Sequence, residues 1–130
     1  MKKTLAAFIL TALVIIVGMI AYVTNGNKSS APTSQAATIS TDGKQVIEIT
    51  AKGGYSPQTT LAKADVPTVI KVKTNGTFDC SSALTIPSLG ITKHLPPSGE
   101  TLIDVPAQKQ GTTLRGLCGM GMYNFTVNFN

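Results

Sequence analysis

From Tyr123 to Asn130 apolar and polar residues alternate without a break: Tyr123, Phe125, Val127 and Phe129 are interleaved with Asn124, Thr126, Asn128 and Asn130. A period of two belongs to an extended chain with one buried and one wet face. The same alternation recurs where Ile47 and Ile49 flank Glu48, and where Ile70 and Val72 alternate with Lys71 and Lys73. Leu102, Ile103 and Val105 form a further short run before Pro106. Turn-forming pairs separate these runs: Gly53-Gly54, Ser56-Pro57, Asn75-Gly76, Pro96-Pro97 and Ser98-Gly99, with Gly111 before the last runs. Short strands punctuated in this way, with no helical periodicity among them, predict an all-β sandwich or barrel over residues 45–130.

The N-terminal part reads differently. After a short basic N-terminus, residues 1–4, the 19 residues from Leu5 to Val23 carry no charge. As a helix they would span about 28 Å, close to the hydrocarbon thickness of a bilayer. A cleaved signal would have a shorter apolar region and a small-residue cleavage site, and Tyr22-Val23 closes this run without one. The expectation is therefore a retained single-pass anchor over 5–23, which places the protein at the cell membrane. Residues 24–44, rich in Ser, Thr, Ala, Asn and Gly, lack apolar periodicity and read as a flexible tether. Lys2 and Lys3 precede the run and Lys28 follows it, a small bias toward an outward-facing domain.

Charge argues against nucleic acid. The formal net charge is +5, but from residue 45 onward seven bases face five acids, a balance of +2 without a basic run. The electrostatic footprint of a nucleic-acid binder is missing. No Ser/His/Asp set or carboxylate pair suggests catalysis, and the single histidine, His94, has no evident partner. The expectation is a binding protein, not an enzyme.

The chemistry-bearing segment is Cys118-Gly119-Met120-Gly121-Met122, with Cys80 lying 38 residues earlier. Thiolate and thioether are soft ligands that prefer Cu(I) to hard cations. In an extended chain, Cys118, Met120 and Met122 would present three sulfurs on one side. Met120 and Met122 also share the parity of Asn124 and Thr126, the wet face of the last strand, so they do not read as core fillers. A Cys80–Cys118 disulfide is the alternative, worth about 4 kcal/mol in the chain-entropy model. The attached methionines favour paired thiolates over it. Zinc is disfavoured, because structural zinc needs four Cys or His ligands and the chain offers Cys80, Cys118 and His94.

Three segments together resemble the cupredoxin superfamily: Gly54-Tyr55-Ser56-Pro57, Thr85-Ile86-Pro87-Ser88-Leu89-Gly90 and Cys118-Gly119-Met120-Gly121-Met122. The resemblance implies a Greek-key β-sandwich. A blue-copper site uses two His and one Cys with a weak axial Met, and one histidine cannot supply that set. Cys80 stands where the first such histidine is usually found, and Met120 or Met122 near the second. The pattern is most similar to the CupA-type membrane-anchored copper chaperones. That resemblance implies two Cu(I) ions: a tight site from Cys80 and Cys118, and a weaker one at Met120 and Met122. It also implies delivery of copper to a copper-exporting P-type ATPase, for copper resistance, and a domain near cytoplasmic copper, against the bias of the lysines. His94 and Glu100 flank the Pro96–Gly99 turn and are secondary candidates beside the site. The alternative functions are a membrane-tethered electron carrier and a disulfide-stapled adhesion or assembly module.

Overall fold

Among the described residues eleven short strands make two sheets, and both send their alternate residues into one core. The computed structural model describes residues 1, 13–16, 34–40 and 42–130. They divide into two units, Met1–Ala31 and Pro32–Asn130. In the first, residues 13–16 are helical and their apolar side chains exposed. Among the described residues no helix is long and apolar enough to cross a membrane. The rest of the expected anchor, 5–12 and 17–23, lies outside the described residues, as do 24–33 and 41 of the expected tether.

In the second unit one sheet contains β1 (Ser34–Ala36), β5 (Thr59–Ala62), β11 (Asn124–Phe129), β10 (Thr113–Cys118), β7 (Ala83–Ile86) and β8 (Ile91–His94), in that spatial order. The other contains β2 (Thr38–Ile39), β3 (Gln45–Ala51), β6 (Thr68–Asn75) and β9 (Ser98–Val105), with β4 (Tyr55–Ser56) paired to β3. The chain passes repeatedly between sheets, so β3 and β6 pair in parallel, as do β5 and β11. The predicted alternation is the observed one. Ile47, Ile49, Ile70 and Val72 are buried from one sheet, and Phe125, Val127 and Phe129 from the other. Each such side chain contributes about 1.5–3 kcal/mol by leaving water.

The expected tether is corrected at its C-terminal end. Ser34–Ala36 and Thr38–Ile39 are strands, and the β2–β3 hairpin closes through Ser40 N–H to Lys44 O at 2.8 Å. Polar, small residues suffice here because pairing on β5 and β3 is made by the backbone, as in Ala37 N–H to Leu61 O at 3.0 Å. The sandwich therefore starts before residue 45.

One end of the sandwich is closed by Gln45, 1% exposed, whose amide nitrogen donates to Lys63 O at 2.7 Å and Thr68 Oγ1 at 2.9 Å. At the other end the loops after β3, β6, β8 and β10 meet. Leu95 N–H donates to Ser82 O at 2.7 Å, and Thr77 N–H to Pro97 O at 2.8 Å.

Gly116, inside β10, has no room for a side chain, since a Cβ there would fall 2.1 Å from the buried Phe125 ring. Replacing Gly116 with Ala forces that ring out of place, and we expect a loss of about 1–3 kcal/mol in urea unfolding. The same substitution made in a Phe125→Leu background should cost clearly less, because the obstructing ring is gone.

Candidate metal centre

Cys118 is the last residue of β10 and sits opposite Leu84 of β7. Its side chain follows Leu114 and Gly116 on the inward parity and is only 3% exposed. Cys80 opens a 3-10 turn, Cys80–Ser82, that runs directly into β7. The ladder between β7 and β10 thus brings the start of that turn beside the end of β10. There the two thiols are close enough that each shifts the other's ionisation. Both are free cysteines.

The turn that carries Cys80 is fixed by Asp79, its N-cap. One carboxylate oxygen accepts the Ser81 N–H at 2.8 Å and also takes a short hydrogen bond from the Ser81 hydroxyl. The other accepts the Gly53 N–H at 2.9 Å, tying the turn to the loop after β3. The Ser81 hydroxyl, the Gly53 N–H and the Ser81 N–H hold this carboxyl below its ordinary range, so the cap remains an anion. Below the turn, the Tyr55 hydroxyl donates to Ser81 O at 3.0 Å, and its ring packs edge-on against Phe125 at 5.3 Å. Sequence reasoning passed over these supports. The Asp-x-Ser spacing of Asp79 and Ser81 is a legible cap signal, whereas the role of Tyr55 depends on long-range packing.

Beyond Cys118 the chain does not stay extended, which corrects the expected row of three sulfurs. Gly121 N–H donates to Cys118 O at 2.8 Å and Cys118 N–H to Tyr123 O at 2.9 Å, so residues 118–123 form a tight reversal. Gly121 takes a positive φ of 71°, a conformation that side chains disfavour. The reversal leaves Cys118 inward while Met120 and Met122 are 78% and 64% exposed. The conclusion that the methionines are not core fillers stands, and the reason is the turn.

This reversal wraps the Cys118 sulfur in backbone donors. Tyr123 N–H donates to Sγ, with the nitrogen 3.3 Å away, and the backbone N–H groups of Met120 and Met122 also favour its charged form. Burial pushes the Cys118 thiol up, but the Cys80 hydrogen bond and the three N–H groups outweigh it and bring the pKa down to about 7. Cys80 moves the other way, chiefly because its proton is held in the hydrogen bond to Cys118. The pair is therefore one thiol that ionises near neutrality beside one that holds its proton more firmly, with two exposed thioethers on the same turn.

The secondary candidates lie elsewhere. His94 is paired with Ala83 on edge strand β8, exposed, on the pleat opposite to Leu84 and Cys118. Glu100 belongs to the other sheet and sits 3.9 Å from both Lys71 and Lys73. Among the described residues no cluster of three or more His, Cys, Asp or Glu could hold a metal. What the geometry gathers is sulfur.

A family model described as the cupredoxin-like domain matches residues 13–127. Among solved structures, the chain is similar to the metal-binding domain of the Cu(I)-exporting P-type ATPase CopA of Streptococcus pneumoniae D39, solved with Cu(I). Identity is 22% and the TM-score 0.68, with 77% of this chain and 98% of that one covered. It is equally similar to a copper-binding protein solved by NMR in the apo form, at 24% identity and TM-score 0.68, covering 77% and 100%. At such identities the likeness is one of fold. No curated protein matches the chain in sequence.

Thiolate absorbance in the ultraviolet checks the electrostatics of the metal-free protein. One thiolate should appear with a midpoint near pH 7, and the second only well into the alkaline range. In Cys80→Ala the lost hydrogen bond should move the Cys118 midpoint upward. A single alkaline step in the unsubstituted protein contradicts the described geometry.

Proposed function

The chain belongs to the cupredoxin-like domain family, and on that footing we propose that it is a membrane-anchored Cu(I)-binding chaperone. In this reading Cys80 and Cys118 form the tighter Cu(I) site, and Met120 and Met122 hold a second, weaker ion close by. Residues 5–23 anchor the domain to the membrane, and copper passes to a copper-exporting P-type ATPase. The protein performs no chemistry of its own on the metal.

One observation carries the proposal: two thiols that shift one another's ionisation under a turn that exposes two thioethers, with the lone histidine exposed on strand β8. A donor set of sulfur alone favours the soft monovalent ion, and it lacks the two imidazoles a blue-copper centre uses to cycle. Cys118 gives up its proton near neutral pH, with a pKa of about 7, and the backbone N–H groups that stabilise its charge are already in place. The exposed methionines make the cargo reachable by a partner's thiolates, so copper can leave by exchange, one sulfur at a time. The similarity to a P-type ATPase metal-binding domain supports an acceptor of related architecture, with ligands of matching softness.

A competition titration with a chromophoric Cu(I) chelator tests this. Reduced protein should take up colourless Cu(I), and Cys80→Ser or Cys118→Ser should each weaken the tighter site by on the order of a hundredfold or more, given that even supporting contacts of a metal site are worth 10- to 100-fold. Met120→Ala with Met122→Ala should remove the weaker ion and leave the tighter one. An intense blue band with Cu(II) would point to electron transfer instead.

A further inference from the structure

The turn that carries the methionines borders a groove that the copper reading alone leaves without a role. Its cavity of about 260 Å³ is lined by Met122 and Tyr123 on one strand connection and by Lys52, Gly53 and Gly54 on another, with Gln58 alongside. The two glycines present bare backbone, and the Tyr123 ring lies against it: a Cβ at Gly54 would be 3.5 Å from the ring. The Gly53 N–H is already committed to Asp79. Lys52 is the one cation lining the groove; its ammonium rests near Gly76 and is within a side-chain rotation of the groove, and among the described residues it has no ion-pair partner, whereas Lys44, Lys71 and Lys73 all do.

We propose that this groove receives a small anionic thiol bearing Cu(I), the carboxylate meeting Lys52 and the copper-bearing sulfur meeting Met122. This deepens the copper-binding reading and rests on it. The cavity is slightly smaller than the roughly 300–1,000 Å³ pockets that enclose drug-sized ligands, so its occupant is small. A single ammonium, with no second base lining the groove, matches one carboxylate and not a polyphosphate. The soft atom at the other side is the thioether of Met122, next in the chain to Tyr123, whose N–H bonds to the Cys118 sulfur at 3.3 Å. Copper delivered to Met122 is therefore adjacent to its tighter site. In the exchange, the donor's S–Cu bond breaks as a protein S–Cu bond forms. The Cys80 thiol gives its proton to the departing donor thiolate, and copper stays monovalent.

The test compares Cu(I) uptake by the full chain in detergent from two complexes, Cu(I)–glutathione and Cu(I)–glutathione diethyl ester, whose carboxylates are masked. Protein-bound copper is measured after rapid desalting at successive times. We expect uptake from the free acid to be roughly tenfold faster, the scale of a steered encounter. Lys52→Gln should abolish that advantage and leave uptake from the ester unchanged. Gln58→Trp, which fills the groove from an exposed position, should abolish it too. Lys93→Gln, the same charge change on β8, should preserve it. An advantage that survives Lys52→Gln, or that Lys93→Gln reduces as much, overturns the groove proposal even where the chelator titration shows tight Cu(I) binding. Absence of Cu(I) binding in that titration would instead remove the reading on which the proposal rests.

Discussion

The pairing of Cys118 with Leu84 in the β7–β10 ladder is the constraint on which everything at this end of the molecule depends. It sets one cysteine at the last inward position of a strand, where burial is nearly complete. It also fixes where β7 begins, and therefore where the turn before it delivers the other cysteine. A one-residue slip would turn Cys118 to the outer face and separate the thiols. The register is well defended. Gly116 accepts the Phe125 ring where no other residue fits, and Phe125 packs on Tyr55, which holds Ser81 from beneath. The hydrophobic core and the sulfur pair are thus parts of one packing arrangement.

The charge arrangement follows from the same geometry. A carboxylate, Asp79, sits beside two thiols and would ordinarily oppose a thiolate. Its charge does push the Cys80 thiol up while its lone pairs hold Ser81 and Gly53, whereas the Cys118 sulfur takes the Tyr123 N–H and is stabilised as an anion by the backbone of the reversal that follows it. The anion is stabilised by backbone dipoles and not by a neighbouring base, so the site remains free of cationic side chains that would repel a metal ion. In the proposed reading the two cysteines are ordered in advance, which would lower the entropy lost on capturing an ion.

Much of this was legible in the residues. The alternation in β11 named its buried face correctly, because side chains in a flat ladder have two directions only. The four sulfur-bearing residues stood out by type, and the structure brings Cys80 beside Cys118 under the turn that carries Met120 and Met122. What escaped was local backbone direction. The step from Cys118 into Gly119 ends a strand, and a period of two could not register the reversal because Gly121 bends the chain with no apolar signature of its own. Likewise Ser34–Ala36 and Thr38–Ile39 pair through peptide groups alone, which hydropathy does not see. His94 and Glu100, close in sequence to a Pro-rich turn, were carried by strand pairing to other faces.

The parallel pairing of β5 with β11 has a further consequence, in the order of assembly. Thr59 and Thr126 are partners in this ladder although about half the chain separates them, and such distant pairings are slow to form because a large loop must close first. The reversal that cradles the Cys118 sulfur is anchored by β11 on its far side. A chain emerging from the ribosome therefore carries Cys80 long before it has the hairpin that completes the pair, and the proposed metal site would be assembled only with the final closure of the sandwich.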